Sequence, residues 1–207
     1  MVARGGNAVV RIDARPGDFV RKGTALASVV WATVPNERFN DSLRRAFIIG
    51  PDRSGTQDVG FFINQLVELG VRALSPGIND PTTARACIDR LEEALCQLTD
   101  RVLPSPYRHD DGGALRVVAR PVTLAPMFDL AFTELSRYGY SSVSVSCRLL
   151  QAIGNVARCL TRNEDRLALA RQAAFVGDRS AHLPANDTDR ERLAGCYREA
   201  LEVLHAT

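Results

Sequence analysis

Two apolar helical patterns meet at the run Arg72-Ala73-Leu74-Ser75-Pro76-Gly77-Ile78-Asn79-Asp80-Pro81-Thr82-Thr83-Ala84, and this junction constrains the fold more than any other stretch. Ser-Pro-Gly stops the first helix, because proline lacks an N–H and glycine is a poor helix former. Asp80 followed by Pro81 starts the next: the carboxylate accepts from the free N–H groups of a first turn, where proline is tolerated. Gly77 is expected to supply unusual backbone angles, and Asn79 to hydrogen-bond within its own turn.

The helix before the elbow is expected to begin near Gln57-Asp58, with Ser54 or Thr56 as N-cap. Val59, Phe62, Ile63, Leu66, Val67, Leu69, Val71, Ala73 and Leu74 cover most of its circumference, the pattern of a central, buried helix. After the elbow, Ala84, Ile88, Leu91, Leu95, Leu98 and Val102 recur at four- and three-residue spacing. That is a packing seam on a helix from Pro81 to about Val102, with Arg85, Asp89, Glu92 and Glu93 on the opposite face. Further helices are expected over Pro126 to Tyr138, Ser144 to Leu160 and Glu164 to Gly177. A last helix opens at Thr188-Asp189-Arg190-Glu191, which has capping-box form, and turns Leu193, Tyr197, Ala200 and Leu204 inward.

The N-terminal region reads differently. Residues 8 to 34 alternate as strands around the turns Arg15-Pro16-Gly17-Asp18 and Lys22-Gly23, with Phe19-Val20 extended between them. Ala46 to Gly50 reads as a short buried strand or helix end, His109 to Gly113 as a turn, and Ala114 to Arg120 as a strand. The expected fold class is α+β: a mostly helical bundle over residues 44–207, with a small β-hairpin region over residues 1–43.

Composition excludes several function classes. The 207 residues carry a formal net charge of only +2, without the basic surplus of a dedicated nucleic-acid binder. The five cysteines (Cys87, Cys96, Cys147, Cys159, Cys196) are odd in number and lack C-x-x-C spacing, so they read as free thiols in a reducing compartment. His109, His182 and His205 have no metal-ligand spacing, and no metal is expected. No apolar run approaches the roughly 18 residues of a membrane span, and the first residues lack a signal peptide's apolar core. The chain by itself therefore reads as soluble and cytoplasmic.

The spacing of Pro16, Gly17, Asp18, Val20, Gly23 and Leu26 resembles the hammerhead hairpin of biotinyl and lipoyl carrier domains. Those carriers need a lysine on an exposed hairpin, and nothing after Gly23 supplies one. No cofactor is expected. The hairpin lacks its usual partner half, so it must pair elsewhere in the chain or with another chain. With the two apolar helices, this predicts a homo-oligomer, most simply a twofold dimer.

The run Ala46-Phe47-Ile48-Ile49-Gly50, Arg53, Gln57-Asp58, Gln65 to Leu69 and Arg72 to Ala84 resembles the bacterial predicted membrane proteins grouped as domain-of-unknown-function family 2254. Arg15 to Val20, Gly23 and Leu26 fit the same family. The resemblance implies several transmembrane helices ahead of a soluble part on the cytoplasmic side. This sequence looks like that soluble part, with membrane association only through segments absent from it. The family has no settled activity to transfer.

Two readings of the elbow follow from its chemistry. It is a turn whose polar residues satisfy one another, or a ligand site built from Arg53, Asp58, Ser75, Asn79, Asp80, Thr82 and Thr83, since helix starts attract anions. Arg53 and Asp58 lie three to four helical turns from the elbow, so joining them to it needs another element or subunit. The functional expectation is a non-enzymatic domain serving assembly or ligand sensing. The alternative is a hydrolase or transferase with a site around Asp52, Arg53, Asp58, Asn79 and Asp80.

Overall fold

The computed structural model describes residues 8–31, 37–180 and 186–206. Among these, four strands and seven helices follow one another: β1 (Ala8–Ile12), β2 (Ala27–Trp31), α1 (Glu37–Arg45), α2 (Val59–Ala73), α3 (Pro81–Thr99), β3 (Tyr107–His109), β4 (Leu115–Val118), α4 (Ala125–Gly139), α5 (Val143–Arg158), α6 (Asn163–Ser180) and α7 (Asp187–His205). His182 lies outside the described residues. The fold is α+β and mostly helical. By contact it falls into two compact units, Met1–Asp58 with Leu103–Val122, and Val59–Val102 with Thr123–Thr207.

The first unit holds a mixed sheet in the order β2-β1-β4-β3, open rather than closed into a barrel. β1 and β2 pair antiparallel from Ala8↔Trp31 to Ile12↔Ala27. Two turns shape their connection. Asp18 N donates to Arg15 O at 3.1 Å and Thr24 N to Arg21 O at 3.0 Å, with Gly17 and Gly23 at φ 87° and 89°. These are type II turns, whose third residue needs the left-handed region. Phe19, expected in a strand, instead stands 91% exposed between the turns.

The hairpin finds its partner inside the chain. β4 pairs parallel with the free edge of β1 through Val10↔Val117 and Arg11↔Val118, so that edge no longer argues for self-association. β3 and β4 form the second hairpin, whose turn is built on Asp110. Its Oδ1 accepts from Gly112 N and Ala114 N, both at 3.0 Å, and its Oδ2 accepts from Arg116 Nε at 2.8 Å. The small core of this unit is Ala8, Val10 and Phe39, so α1 covers the sheet through one aromatic, with Leu43 a turn further on. Ile48 and Ile49, expected in a buried element, are 96% and 68% exposed in a segment with no regular structure.

In the second unit, α3 buries Ala84, Ile88, Leu91 and Leu95, the seam its spacing predicts. The helix stops at Thr99, short of the expected Val102, which is exposed. α2 departs from its pattern. It packs on α3 and α4, and its buried residues are Gly60, Ile63, Val67, Gly70 and Ala73. A Cβ on Gly70 would lie 2.7 Å from Leu135 Cδ2 and 3.4 Å from Cys87 Cβ, so the glycine permits close approach of the three helices. Val59, Phe62 and Leu69 face outward. The central helix is instead α5, packed on α3, α6 and α7, with Val145, Leu149, Leu150, Ile153 and Val156 fully buried. α7 is capped by Asn186, whose side chain accepts from Asp189 N at 2.8 Å. The cap therefore stands two residues before the expected Thr188.

Candidate functional site

The expected site residues fall into two groups, one in each unit. Arg53 and Asp58 lie in the first, and Ser75, Asn79, Asp80, Thr82 and Thr83 in the second.

In the first unit Arg53 binds one carboxylate oxygen of Asp58 twice, Nε at 2.9 Å and Nη2 at 2.6 Å from Oδ2. The Asp58 side chain is only 10% exposed and that of Arg53 44%. The pair rests on the Arg15–Asp18 turn, because a Cβ on Gly17 would lie 2.1 Å from Asp58 Oδ2 and 3.0 Å from Arg53 Nε. The turn is fixed from its other side as well. Arg15 N donates to Asp18 Oδ2 at 2.8 Å, and Arg15 Nη2 to Pro121 O at 3.0 Å. Arg53 and Asp58 thus brace the turn against the rest of the unit. Asp52 is exposed beside them.

The elbow is tied together by hydrogen bonds among its own residues. Ser75 O accepts from Ile78 N at 3.0 Å and Asn79 N at 2.8 Å, while Ser75 Oγ donates to Arg72 O at 2.7 Å. Asn79 takes the left-handed conformation, φ 48°, which asparagine tolerates better than most residues. Gly77, expected to carry the special angle, does not have positive φ. Asp80 N donates to Ala73 O at 2.8 Å, closing the end of α2 onto the start of α3. Asp80 Oδ1 then accepts from Thr82 N at 3.0 Å and Thr83 N at 3.1 Å, and Oδ2 accepts from the Thr83 hydroxyl. These bonds, the Thr83 hydroxyl first, hold the Asp80 carboxyl below its ordinary range.

The electrostatic consequence is specific. The start of α3 attracts negative charge, but Asp80 already supplies it. Pro81 has no N–H, Thr82 and Thr83 donate to Asp80's carboxylate, and Ala84 N donates to Asp80 O at 3.3 Å. Every main-chain donor of this first turn is therefore engaged within the chain. Among the described residues no three His, Cys, Asp or Glu side chains gather as a metal set.

Two polar groupings escape the sequence pattern. Arg148 of α5 reaches α3, with Nε 2.6 Å from Asp89 Oδ1 and Nη2 2.6 Å from Glu92 Oε2, and Asn155 Nδ2 donates to Glu92 Oε1 at 2.8 Å. Asp89 and Glu92 thus bind a neighbouring helix, Asp89 with its side chain still 57% exposed. The second grouping is sulfur: Cys96 on α3 and Cys159 at the end of α5 place their Sγ atoms 3.1 Å apart. All five cysteines are free thiols.

Comparison with known proteins gives these features a family. Residues 1–155 match the family model described as predicted membrane protein (DUF2254). An uncharacterised protein of Mycobacterium bovis and two of Mycobacterium tuberculosis are each 30% identical over 184 residues, 89% of this chain. The chain spans about a third of their length, 34%. No solved structure matches. Among the described residues no helix is long and apolar enough to cross a membrane. Both the Arg15–Asp18 turn with its Arg53–Asp58 brace and the Asp80-capped elbow lie within the matched region, and the chain belongs to this DUF2254 family of predicted membrane proteins, a family of unknown function.

Proposed function

We propose that this chain is a non-enzymatic assembly domain of its membrane-protein family, self-associating as a twofold dimer through the outer face of α2. One observation carries the reading: Val59, Phe62 and Leu69 stand 54%, 56% and 49% exposed on one side of that helix. With half-buried Leu66 they recur at intervals of three, four and three residues, the spacing of a seam between two helices. No charged residue interrupts the stripe. A second copy of α2 across a twofold axis presents the same stripe and removes both from water. The β1 edge and the α3 seam are filled within the chain, so the proposal rests on α2 alone. The free thiols support a reducing location, on the cytoplasmic side of the membrane that the longer family proteins would span.

Light scattering at micromolar concentration tests the dimer. The expected mass is twice the 22.6 kDa of the chain, and Phe62→Glu with Leu69→Glu should return it to 22.6 kDa with unchanged helical circular dichroism. A wild-type mass of 22.6 kDa, constant across a tenfold concentration range, would overturn the proposal.

A further inference from the structure

We propose that Cys96 and Cys159 form an oxidisable dithiol, which a two-electron oxidant of the peroxide class converts to a disulfide clipping α3 to α5. Their sulfurs lie 3.1 Å apart, so closure to the bonded separation of about 2.0 Å needs a total movement of only about 1 Å. Both side chains are half-buried, in contact with solvent yet held by their helices.

The surrounding seam fixes this proximity. α3 and α5 run in the same direction, since their contacts advance together: Asp89 with Arg148, Glu92 with Asn155, Cys96 with Cys159. Glu92 and Asn155 stand one turn before the two cysteines, so their hydrogen bond at 2.8 Å sets the register that brings the sulfurs together. The Cys159 thiol also reaches Asn155 O, one turn back, at 3.5 Å, which holds its sulfur against α5. Burial first, and then the adjacent Cys159 sulfur, push the Cys96 thiol up to about 12, so Cys96 rests as a thiol at neutral pH.

The chemistry balances with peroxide as the named oxidant. One sulfur, as thiolate, attacks a peroxide oxygen; the O–O bond breaks, a sulfenic acid forms and the leaving oxygen departs as water. The second sulfur attacks the sulfenic sulfur; the S–O bond breaks, the S–S bond forms and a second water leaves. Two electrons pass from the two sulfurs to the peroxide. The resulting clip joins positions 63 residues apart, which restricts the unfolded chain and raises the melting temperature.

Every cysteine falls on its own tryptic peptide, so the test is direct. The reduced full-length chain is treated with hydrogen peroxide, alkylated in denaturant and digested without reductant. The expected product is Leu91–Arg101 joined to Cys159–Arg162, lost on adding dithiothreitol and absent from both Cys96→Ser and Cys159→Ser. Oxidised wild type should melt several degrees above the reduced form. Recovery of Cys96 and Cys159 on separate peptides, alkylated or over-oxidised, from chain that keeps its helical circular dichroism overturns the proposal. So does a Cys147–Cys196 link that forms while Cys96 and Cys159 stay reduced.

Discussion

Replacing Gly17 by alanine tests the Arg53–Asp58 brace at its tightest point. Two costs act in the same direction. The backbone there is left-handed, φ 87°, which costs an L-residue about 1–2 kcal/mol. Restricting the unfolded chain returns about 0.4–1 kcal/mol of that. The new Cβ would also sit 2.1 Å from Asp58 Oδ2 and 2.9 Å from Asp58 Cγ. Asp58 must therefore move by more than 1 Å and leave the fork of Arg53, an approximate figure set by ordinary contact distances of about 3.5 Å. Loss of charge-assisted hydrogen bonds costs about 1.5–3 kcal/mol. Because Arg53 is 44% exposed, solvent screening favours the lower end. The sum is a destabilisation of about 2–3 kcal/mol.

The measurement is urea unfolding followed by two probes. The single tryptophan, Trp31, lies on β2 in the same unit as Gly17, whereas most helical circular dichroism comes from the other unit. Gly17→Ala should shift the fluorescence transition more than the dichroism transition. A double-mutant cycle separates the two costs. In an Asp58→Ala background the clash with the carboxylate is gone and Arg53, no longer held by it, can swing away, so Gly17→Ala should cost only the backbone part, below about 1.5 kcal/mol. An equal cost in both backgrounds would refute the argument that Gly17 makes room for Asp58.

Two further outcomes follow from α3. Leu91→Ala, at a fully buried seam position, should cost about 2–5 kcal/mol by denaturant unfolding, whereas Val102→Ala, at 96% exposure, should stay within about 0.5 kcal/mol. Asp80 has its carboxyl depressed below 3.8 in the folded chain, so its contribution is present above that value and is lost as pH falls through the lower folded one. Asp80→Asn keeps a capping oxygen that does not titrate, so its melting temperature should lie closer to wild type below pH 3.8 than at neutral pH; a constant gap would contradict the linkage.

What the sequence made legible is local. The α3 seam and the Asp80-Pro81 start need only the helical period and the chemistry of one turn, and both stand in the structure as read. α1 went unread because its nine residues carry only Phe39 and Leu43 as large apolar side chains, an i,i+4 pair too short to show a period. The apolar circumference of α2 was visible, but periodicity counts apolar residues without saying what covers them. One face meets α3 and α4, and the other leaves Val59, Phe62 and Leu69 exposed. The parallel pairing of β1 with β4 is a non-local contact, which composition and spacing do not encode.

The elbow shows why a polar cluster in sequence is ambiguous between a ligand site and a turn. The same residues do both, and a ligand needs a donor or acceptor left over after the fold is closed. At the elbow no main-chain donor in the first turn of α3 is left over: Asp80 takes the donors of Thr82 and Thr83, and its carbonyl takes that of Ala84. Sulfur shows the reverse. Five scattered cysteines read as separate free thiols, yet α5 lies against both α3 and α7, and this middle position brings Cys159 to Cys96. The same helix carries Cys147 at the α7 side, where the Cys196 sulfur is near enough to raise its thiol to about 12, after burial, the larger cause. Cys147 is buried while Cys196, Cys96 and Cys159 are half-buried, so the α3–α5 pair offers an oxidant in water both of its sulfurs and the α5–α7 pair one. Helix packing, rather than the number of cysteines or their spacing, therefore decides which thiols of this chain meet and how far each pair is open to water.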